Sequence, residues 1–510
     1  MWKVRPLKCS LERFATLASK YNPSAAPEQY ETPLFSGLVR HAARRTVPFH
    51  IPGHKRGQGM DPEFRDFIGE AALSIDLINI APVDDLHHPR GIIKEAQELA
   101  AKAFGADHTY FSVQGTSGAI MTMILATCKP GDKLLIPRNV HKSVLTAVVL
   151  AGVQPVFMQP ELDPDLGVAH GVGLMTVRET LRKHSDAKAL VIVNPTYFGV
   201  CVDLAGIVQE AHKYGIPVLV DEAHGAHLYF HPELPVSAME AGADMAATSI
   251  HKLGGSLTQS SILNLREGLV SPERVQAVHS MLTTTSTSYL LLASLDAARR
   301  HLAVSGRERI GRALRLAREA RERINAIPGL WCLGPEAMGD RSSAYALDET
   351  KLCISVKDLG ITGAEVERIL RDEFRIEVEL SDLYNILCII SLGDTEESVD
   401  ALIRALNEIS RRYADRWQRR LIQVSLPDVP ELAVAPRDAF YAETESVLLQ
   451  KSVGRIAAEF VMVYPPGIPI LLPGERITER NIDYIEKHKA AGLPVQGPDD
   501  ATLTMLRVLK

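Results

Sequence analysis

In "TSIHKLGG", residues 248–255, a hydroxyl, an imidazole and a lysine ammonium follow an apolar approach and precede a glycine pair. In "VDEAHGAH", residues 220–227, two carboxylates and two imidazoles stand in the same relation to the run "PVLV". A lysine after a strand is usually a solvated loop residue. If Lys252 is buried, the cost of its charge lowers its pKa and frees the amine as a nucleophile, and this is the reading that gives it chemistry to do. An aspartate at the end of a buried strand, as Asp221 is, needs a cationic partner for its charge to be tolerated.

Three more apolar runs end in polar clusters: "HTYFSV" in "QGTSG", "KLLIP" in "RNVHKS" and "ALVIV" in "NPTYFGV". The turn Gly115-Thr116-Ser117 offers free backbone N–H groups and a positive dipole end to an anion, although a simple hydroxyl N-cap also explains it. It is not a P-loop, since no Gly-Lys-Ser or Gly-Lys-Thr occurs in the chain. Asp221-Glu222-Ala223-His224 spells the acidic box of nucleotide-dependent helicases, which has no partner chemistry here without a phosphate-loop lysine and a basic surface. His224 and His227 share a helix face but lack a third ligand at a recognised spacing, so no metal is expected. One ligand accounts for all five clusters. Pyridoxal 5'-phosphate needs a lysine to condense with its aldehyde, a carboxylate to keep its ring nitrogen protonated, a cradle for its phosphate and a flat group against its ring. Lys252, Asp221, the Gly115 turn and His141 can fill those places.

In open α/β sheets, ligands sit at the carboxyl ends of strands, so the elements must deliver these residues to one edge. From about residue 90 to 300, short β-branched runs alternate with helix-period segments such as "GIIKEAQELAAKAFGAD" and the buried "GAIMTMILATC", the pattern of a parallel sheet with crossover helices. Residues 1–60 read as an arm, with a helical pattern near "LERFATLASKY". Residues 61–305 read as the large domain. After it, "RIGRALRLAREARERINAI" places Ile310, Ala313, Leu314, Ala317, Ala320 and Ile324 on one helix face. It leads into a smaller α/β domain, 306–425, with strands expected at "KLCISV", "RIEVEL" and "LCIISL". In the last segment, 426–510, Pro465, Pro466, Pro469 and Pro473 favour a rigid extended loop.

A net charge of -6 and a pI near 6.3 leave no electrostatic footprint for nucleic acid or an anionic membrane. Six dispersed cysteines, with no paired spacing, suit a reducing compartment. No run approaches a membrane span, and the first residues lack the apolar core and cleavage site of a signal peptide, so a cytoplasmic protein is expected.

The clusters "HIPGHKRG" (50–57), "DDLHHPRG" (84–91), "FSVQGTSG" (111–118), "RNVHKS" (138–143), "NPTYFGV" (194–200), "VDEAHGAH" (220–227), "TSIHKLGG" (248–255) and "EFVMVYPPGIPILLPGE" (459–475) together resemble the Orn/Lys/Arg decarboxylases. The resemblance is to a compact bacterial-type member of that family of fold type I pyridoxal-phosphate enzymes. It implies an aspartate aminotransferase-like large domain with a mostly parallel seven-stranded sheet and a smaller C-terminal α/β domain. It also implies that Lys252 carries the cofactor, Asp221 pairs with its ring nitrogen and His141 stacks on its ring. By the same resemblance Thr116, Ser117, Ser249 and His251 should hold the phosphate, with Gly115 in the same turn, and Ala223 and His224 should pack beside the ring. Lys252 or His251 returns the proton after CO₂ leaves. The activity implied is decarboxylation of a basic amino acid, first L-arginine to agmatine for polyamine synthesis, then lysine or ornithine; an aminotransferase or lyase on the same fold is the alternative. A homodimer with shared active sites is implied, with "DDLHHPRG" at the interface and the proline-rich motif walling the substrate entrance. The distal charge of the substrate needs an acid, for which Asp84, Asp85, Glu379 and Asp382 are candidates. Gln114 departs from the asparagine of many relatives, and the N-terminal domain of the long inducible members is lacking.

Overall fold

The computed structural model describes residues 26–510 except 164, 340–342, 417–427, 464–467 and 491–494. The helical pattern near "LERFATLASKY", Cys9, and Pro465 and Pro466 therefore lie outside the described residues. Eight strands precede the long helix: β1 (His108–Ser112), β2 (Lys133–Pro137), β3 (Gln154–Met158), β4 (Ala189–Val193), β5 (Val200–Cys201), β6 (Val218–Asp221), β7 (Met245–Thr248) and β8 (Ser261–Leu265). Seven of them form one sheet in the order β1-β8-β7-β6-β4-β2-β3. Its neighbours pair in parallel except at β8, which is antiparallel to both β1 and β7. This is the mostly parallel, seven-stranded α/β sheet expected. Strands such as "ALVIV" and "VLVD" are apolar without alternation because helices cover both faces.

The helix that follows β1, Gly115–Thr127, is apolar all round and packs in the core between strands and neighbouring helices. The N-terminal part of the described chain is docked rather than loose. Helix Pro33–Ala43 buries Leu34 and Leu38, and its first turn donates from Leu34 N–H and Phe35 N–H to the buried Asp296 carboxylate.

A single helix, Tyr289–Asn325, runs 37 residues, about 55 Å at the α-helical rise. Its first half belongs to the core beneath the large sheet and its second half to the core of the small one. The six residues expected on its buried face are all buried. The helix begins well upstream of the amphipathic pattern, through Ser305-Gly306, which reads as punctuation in the sequence. The reason for the glycine is packing: a Cβ at Gly306 would lie 3.0 Å from Phe230 Cβ.

The small sheet contains β9 (Trp331–Cys332), β11 (Lys351–Ser355), β12 (Leu380–Ser381) and β13 (Asn385–Ile389), in the order β12-β13-β11-β9 and antiparallel throughout. The short β10 (Ala346–Leu347) pairs with β5 of the large-domain region. Of the expected strand "RIEVEL", only the last residue enters a strand, because Arg375 takes a left-handed conformation (φ 57°) that ends the preceding helix.

Five strands follow in the C-terminal segment: β14 (Thr444–Leu448), β15 (Val461–Val463), β16 (Ile468–Leu471), β17 (Val495–Gln496) and β18 (Met505–Leu509). Of the stretch expected as an extended loop, Ile468–Leu471 is instead strand. The proline-dense stretch contributes the antiparallel β15–β16 pair, and Pro469 is tolerated because β16 is an edge strand that need not donate from every residue. Arg138, after β2, joins this segment to the large sheet. It makes a bidentate bond to Glu475 (2.5 and 2.8 Å), donates from Nε to Pro469 O (3.0 Å) and lies 4.6 Å over the Phe157 ring. No helix among the described residues is long and apolar enough to cross a membrane.

Candidate active site

Asp221 is the last residue of β6, aligned with Ala247 of the neighbouring β7. One strand over, β7 ends at Thr248. Ser249 then caps the single turn Ile250–Leu253, which carries His251 and Lys252. The strand ends thus bring the carboxylate and the amine to the same edge. Asp221 is 4% exposed, and among the described residues the one hydrogen bond to its carboxylate is from Ala223 N–H (3.2 Å). Burial raises its pKa, opposed by the charges of His141 and Lys252 and by that N–H. It is therefore a carboxylate short of partners, facing a site where a cation would relieve it.

Lys252 corrects one expectation: it is not buried in this chain but opens on solvent along one side of the cleft. Enough protein still crowds its amine that desolvation pulls its pKa below the usual lysine value. Lys351 adds to that shift, while Asp221 and Glu379 oppose it. Water reaching the open side limits the effect. His141 is the N-cap of helix Lys142–Ala151 and likewise has an open side. Its Nδ1 accepts from Ser143 N–H (3.3 Å) and lies 2.8 Å from Ser143 Oγ, which leaves the ring proton on Nε2. Desolvation lowers its pKa, and nearby Asp221 opposes the shift.

A hydroxyl cluster lies beside the start of helix Gly115–Thr127. Thr116 Oγ1 bonds Ser249 Oγ and, at 2.7 Å, Ser261 Oγ, and all three residues are buried. No side chain caps this helix. Gly115 has φ 67°, and a Cβ there would meet nothing nearer than Gln259 O at 4.0 Å. Ser117 is half-buried in the same first turn. Ser261 was not expected here. It is the first residue of β8, and only the antiparallel pairing Ser112↔Ser261 brings it to Thr116. His251 Nδ1 turns to Ser260 O (2.8 Å), so its hydrogen bond is to the chain returning into β8 rather than to the hydroxyl cluster. That return also supplies Gln259 O to Gly115 N–H (2.9 Å) and Gln259 Nε2 to Val113 O (2.7 Å).

On the other side, His224 is 6% exposed and its Nε2 lies 2.9 Å from Lys252 Nζ. Ala223 is half-buried beside it. The Tyr197 ring meets the His224 ring at 4.5 Å between centroids and lies 5.9 Å from Lys252 Nζ. Tyr197 OH donates to Glu379 Oε1 (2.5 Å), which joins the loop after β4 to the residue just before β12. Tyr197 stands in a motif of interest, but nothing in the sequence marks it as the bridge.

The four acidic candidates separate cleanly. Asp84 accepts N–H groups of Arg90, Gly91, Ile93 and Lys94 at the start of helix Ile92–Phe104. Asp85 is engaged by Asn79 Nδ2 and His87 N–H. Asp382 is buried and holds the turn before β13 through Tyr384 N–H, Asn385 N–H and the Asn385 amide. Glu379 alone of the four is exposed and adjacent to Lys252.

Behind the site, Glu222 is buried and accepts from Tyr229 OH, Ala238 N–H and Thr248 Oγ1; burial still lifts its pKa to about 7. His227 Nε2 lies 2.9 Å from Asp348 Oδ2, which also takes Lys351 Nζ at 3.1 Å. The two histidines of "DEAHGAH" thus face different partners. Among the described residues no group of three or more His, Cys, Asp or Glu is placed to hold a metal ion.

Residues 32–398 match the family model described as Orn/Lys/Arg decarboxylase, major domain, and residues 418–494 match that for the C-terminal domain. An arginine decarboxylase of Bacillus subtilis is 63% identical over 94% of this chain and 98% of its own length. One of Halalkalibacterium halodurans is 63% identical with the same coverage. The solved constitutive lysine decarboxylase of E. coli superposes with a TM-score of 0.81 at 25% identity, over 94% of this chain and 82% of that one. With both domain models matched in order, and with relatives this similar along nearly the whole length, the chain belongs to the Orn/Lys/Arg decarboxylase family.

Proposed function

We propose that the protein decarboxylates L-arginine to agmatine and CO₂, using pyridoxal 5'-phosphate held by Lys252. The observation that carries the reading is the meeting of a desolvated amine, a buried and under-partnered carboxylate and a hydroxyl-lined helix start on neighbouring strand ends. The donor set fits the cofactor. Thr116, Ser117 and Ser249 would hold its phosphate at the uncapped helix, where Gly115 leaves room, Asp221 would meet its ring nitrogen, and His141 would lie against the ring. When bound, the cofactor supplies a conjugated sink for the electron pair left as CO₂ departs.

The chain's own residues supply the rest. Asp221 would supply a negative charge to a cationic ring nitrogen, in low-dielectric surroundings where that charge acts strongly. Lys252 presents an amine that gives up its proton more easily than a solvated lysine. Either Lys252 or His251 would return the proton to carbon, and Lys252 has its amine in the cleft whereas His251 Nδ1 is engaged with Ser260 O. Glu379, backed by Tyr197 OH, is the acid left free to meet a guanidinium. Identity of 63% with proteins named arginine decarboxylase favours arginine over lysine or ornithine.

A cytoplasmic homodimer with shared active sites belongs to the same reading. Its support is the exposed apolar run Val47, Phe49 (95% exposed) and Ile51, the open side of Lys252, and five buried, unpaired thiols among the described residues. The function is tested by incubating purified protein separately with arginine, lysine and ornithine and identifying the product. Agmatine with CO₂ from arginine is expected. A diamine from lysine or ornithine alone would replace the substrate, and a 2-oxo acid without CO₂ would replace the reaction.

A further inference from the structure

The resemblance gives His224 nothing beyond packing beside a ring. The structure gives it the hydrogen bond to Lys252 Nζ at 2.9 Å. A lysine ammonium can only donate, so Nε2 is the acceptor in that state and the ring proton sits on Nδ1. Nδ1 is buried and has no partner among the described residues. The imidazole is fixed by its burial and by the Tyr197 ring against it. The charged and titratable groups facing it are Lys252, Lys351, Asp348, His227 and Tyr197. Burial and the two lysines hold its pKa well below the usual histidine value, so it stays neutral and remains an acceptor.

We infer that His224 is the positioning residue for Lys252: its Nε2 holds the lysine amine whenever that amine is not bonded to the cofactor. The ring sits on the loop after β6, while Lys252 is on the turn after β7. The bond therefore fixes where the free amine waits relative to Asp221, the last residue of β6, three positions before the ring. Lys351 and its partner Asp348 reach the ring from the small domain, so both lobes set the acceptor's surroundings.

The inference rests on Lys252 being the cofactor lysine, but its test can be read without cofactor. In the full-length chain stripped of pyridoxal phosphate, competitive acylation of Lys252 across pH, followed by mass spectrometry, gives the midpoint of its titration. Asp221, Glu379, Lys351 and His141 face the same amine and are left unchanged throughout. His224→Phe keeps a ring against Tyr197 but offers no acceptor, whereas the amide of His224→Gln reaches the place of Nε2. Losing an acceptor to a charged donor should lower the midpoint by about one pH unit in His224→Phe. His224→Gln should restore it. The same order should appear in the rate at which added pyridoxal phosphate forms its visible absorbance band. An unchanged midpoint in His224→Phe, or an equal shift in His224→Gln, overturns the inference. Should His224→Phe not fold, His224→Asn, whose amide ends near the place of Nδ1, decides instead: a midpoint below that of His224→Gln supports the inference and an equal one overturns it. Failure of the cofactor reading would look different, as wild-type protein that never forms the band.

Discussion

At the scale of single residues, Asp221 and Glu379 are both carboxylates close to Lys252, and their different surroundings predict different effects on replacement. Asp221 is buried with one N–H, whereas Glu379 is exposed with one tyrosine hydroxyl. Replacing Asp221 with Asn keeps its shape and removes the charge, so cofactor should still bind while kcat falls by more than about a hundredfold, read by steady-state kinetics beside the absorbance spectrum. Glu379→Gln should instead raise KM for arginine by about ten- to a hundredfold, with a smaller change in kcat. Equal effects on both parameters would remove Glu379 from substrate recognition. Lys252, Asp221, Thr116 and His141 were legible in the sequence because each lies just past an apolar run, and strand ends converge in an α/β sheet. Ser261 and the Tyr197–Glu379 bridge were not. The first depends on an antiparallel strand that nothing local distinguishes from its parallel neighbours, and the second on how two lobes dock.

At the scale of elements, glycine and histidine set close approaches that the apolar pattern does not specify. Gly199, at φ 89°, ends the loop from β4 to β5 and packs against the turn before β11. A Cβ there would sit 2.8 Å from Lys351 Cγ and 2.9 Å from Asp348 O, and the latter is backbone that cannot rotate away. Gly199→Ala should therefore cost about 1–3 kcal/mol in denaturant unfolding and disturb the buried Asp348 cluster. The buried His279, on helix Pro272–Leu282, bonds Phe111 O of β1 through Nε2 (2.9 Å), and burial lowers its pKa from 6.5 to about 4. A depressed histidine adds stability that is whole above the unfolded pKa near 6.5 and is lost as pH falls towards 4. The contribution is about 3 kcal/mol at most. His279→Gln keeps the donor and does not titrate, so the loss of unfolding free energy between about pH 7 and about pH 4.5 should be smaller than in the wild type. The long amphipathic helix was legible from its apolar face, but its true start was hidden by Ser305-Gly306. The C-terminal hairpin was hidden by prolines, whose restriction on donors matters little at an edge.

At the scale of the whole molecule, one buried ion pair ties the C-terminal segment to the large sheet. Arg138 and Glu475 are both almost fully buried and meet through two bonds. Removing one partner strands the other charge, so Arg138→Met or Glu475→Leu alone should cost about 3–5 kcal/mol, whereas the double replacement should cost less than either single one. Chemical denaturation of the three variants checks this, and additive losses would mean that the pair does not act as a unit. The alternation of strands and helices showed the α/β class from sequence alone. Which segments pack on which did not follow from either, because Arg138 and Glu475 are 337 positions apart. The passage from Lys252 to Ser261 has a different bearing. Residues 254–260 form the loop from which Gln259 O meets Gly115 N–H and Ser260 O meets His251, and at its end β8 delivers a hydroxyl to Thr116. New chain ends introduced by circular permutation within that loop would therefore cut the short covalent link between the Lys252 amine and the hydroxyl cluster around Thr116.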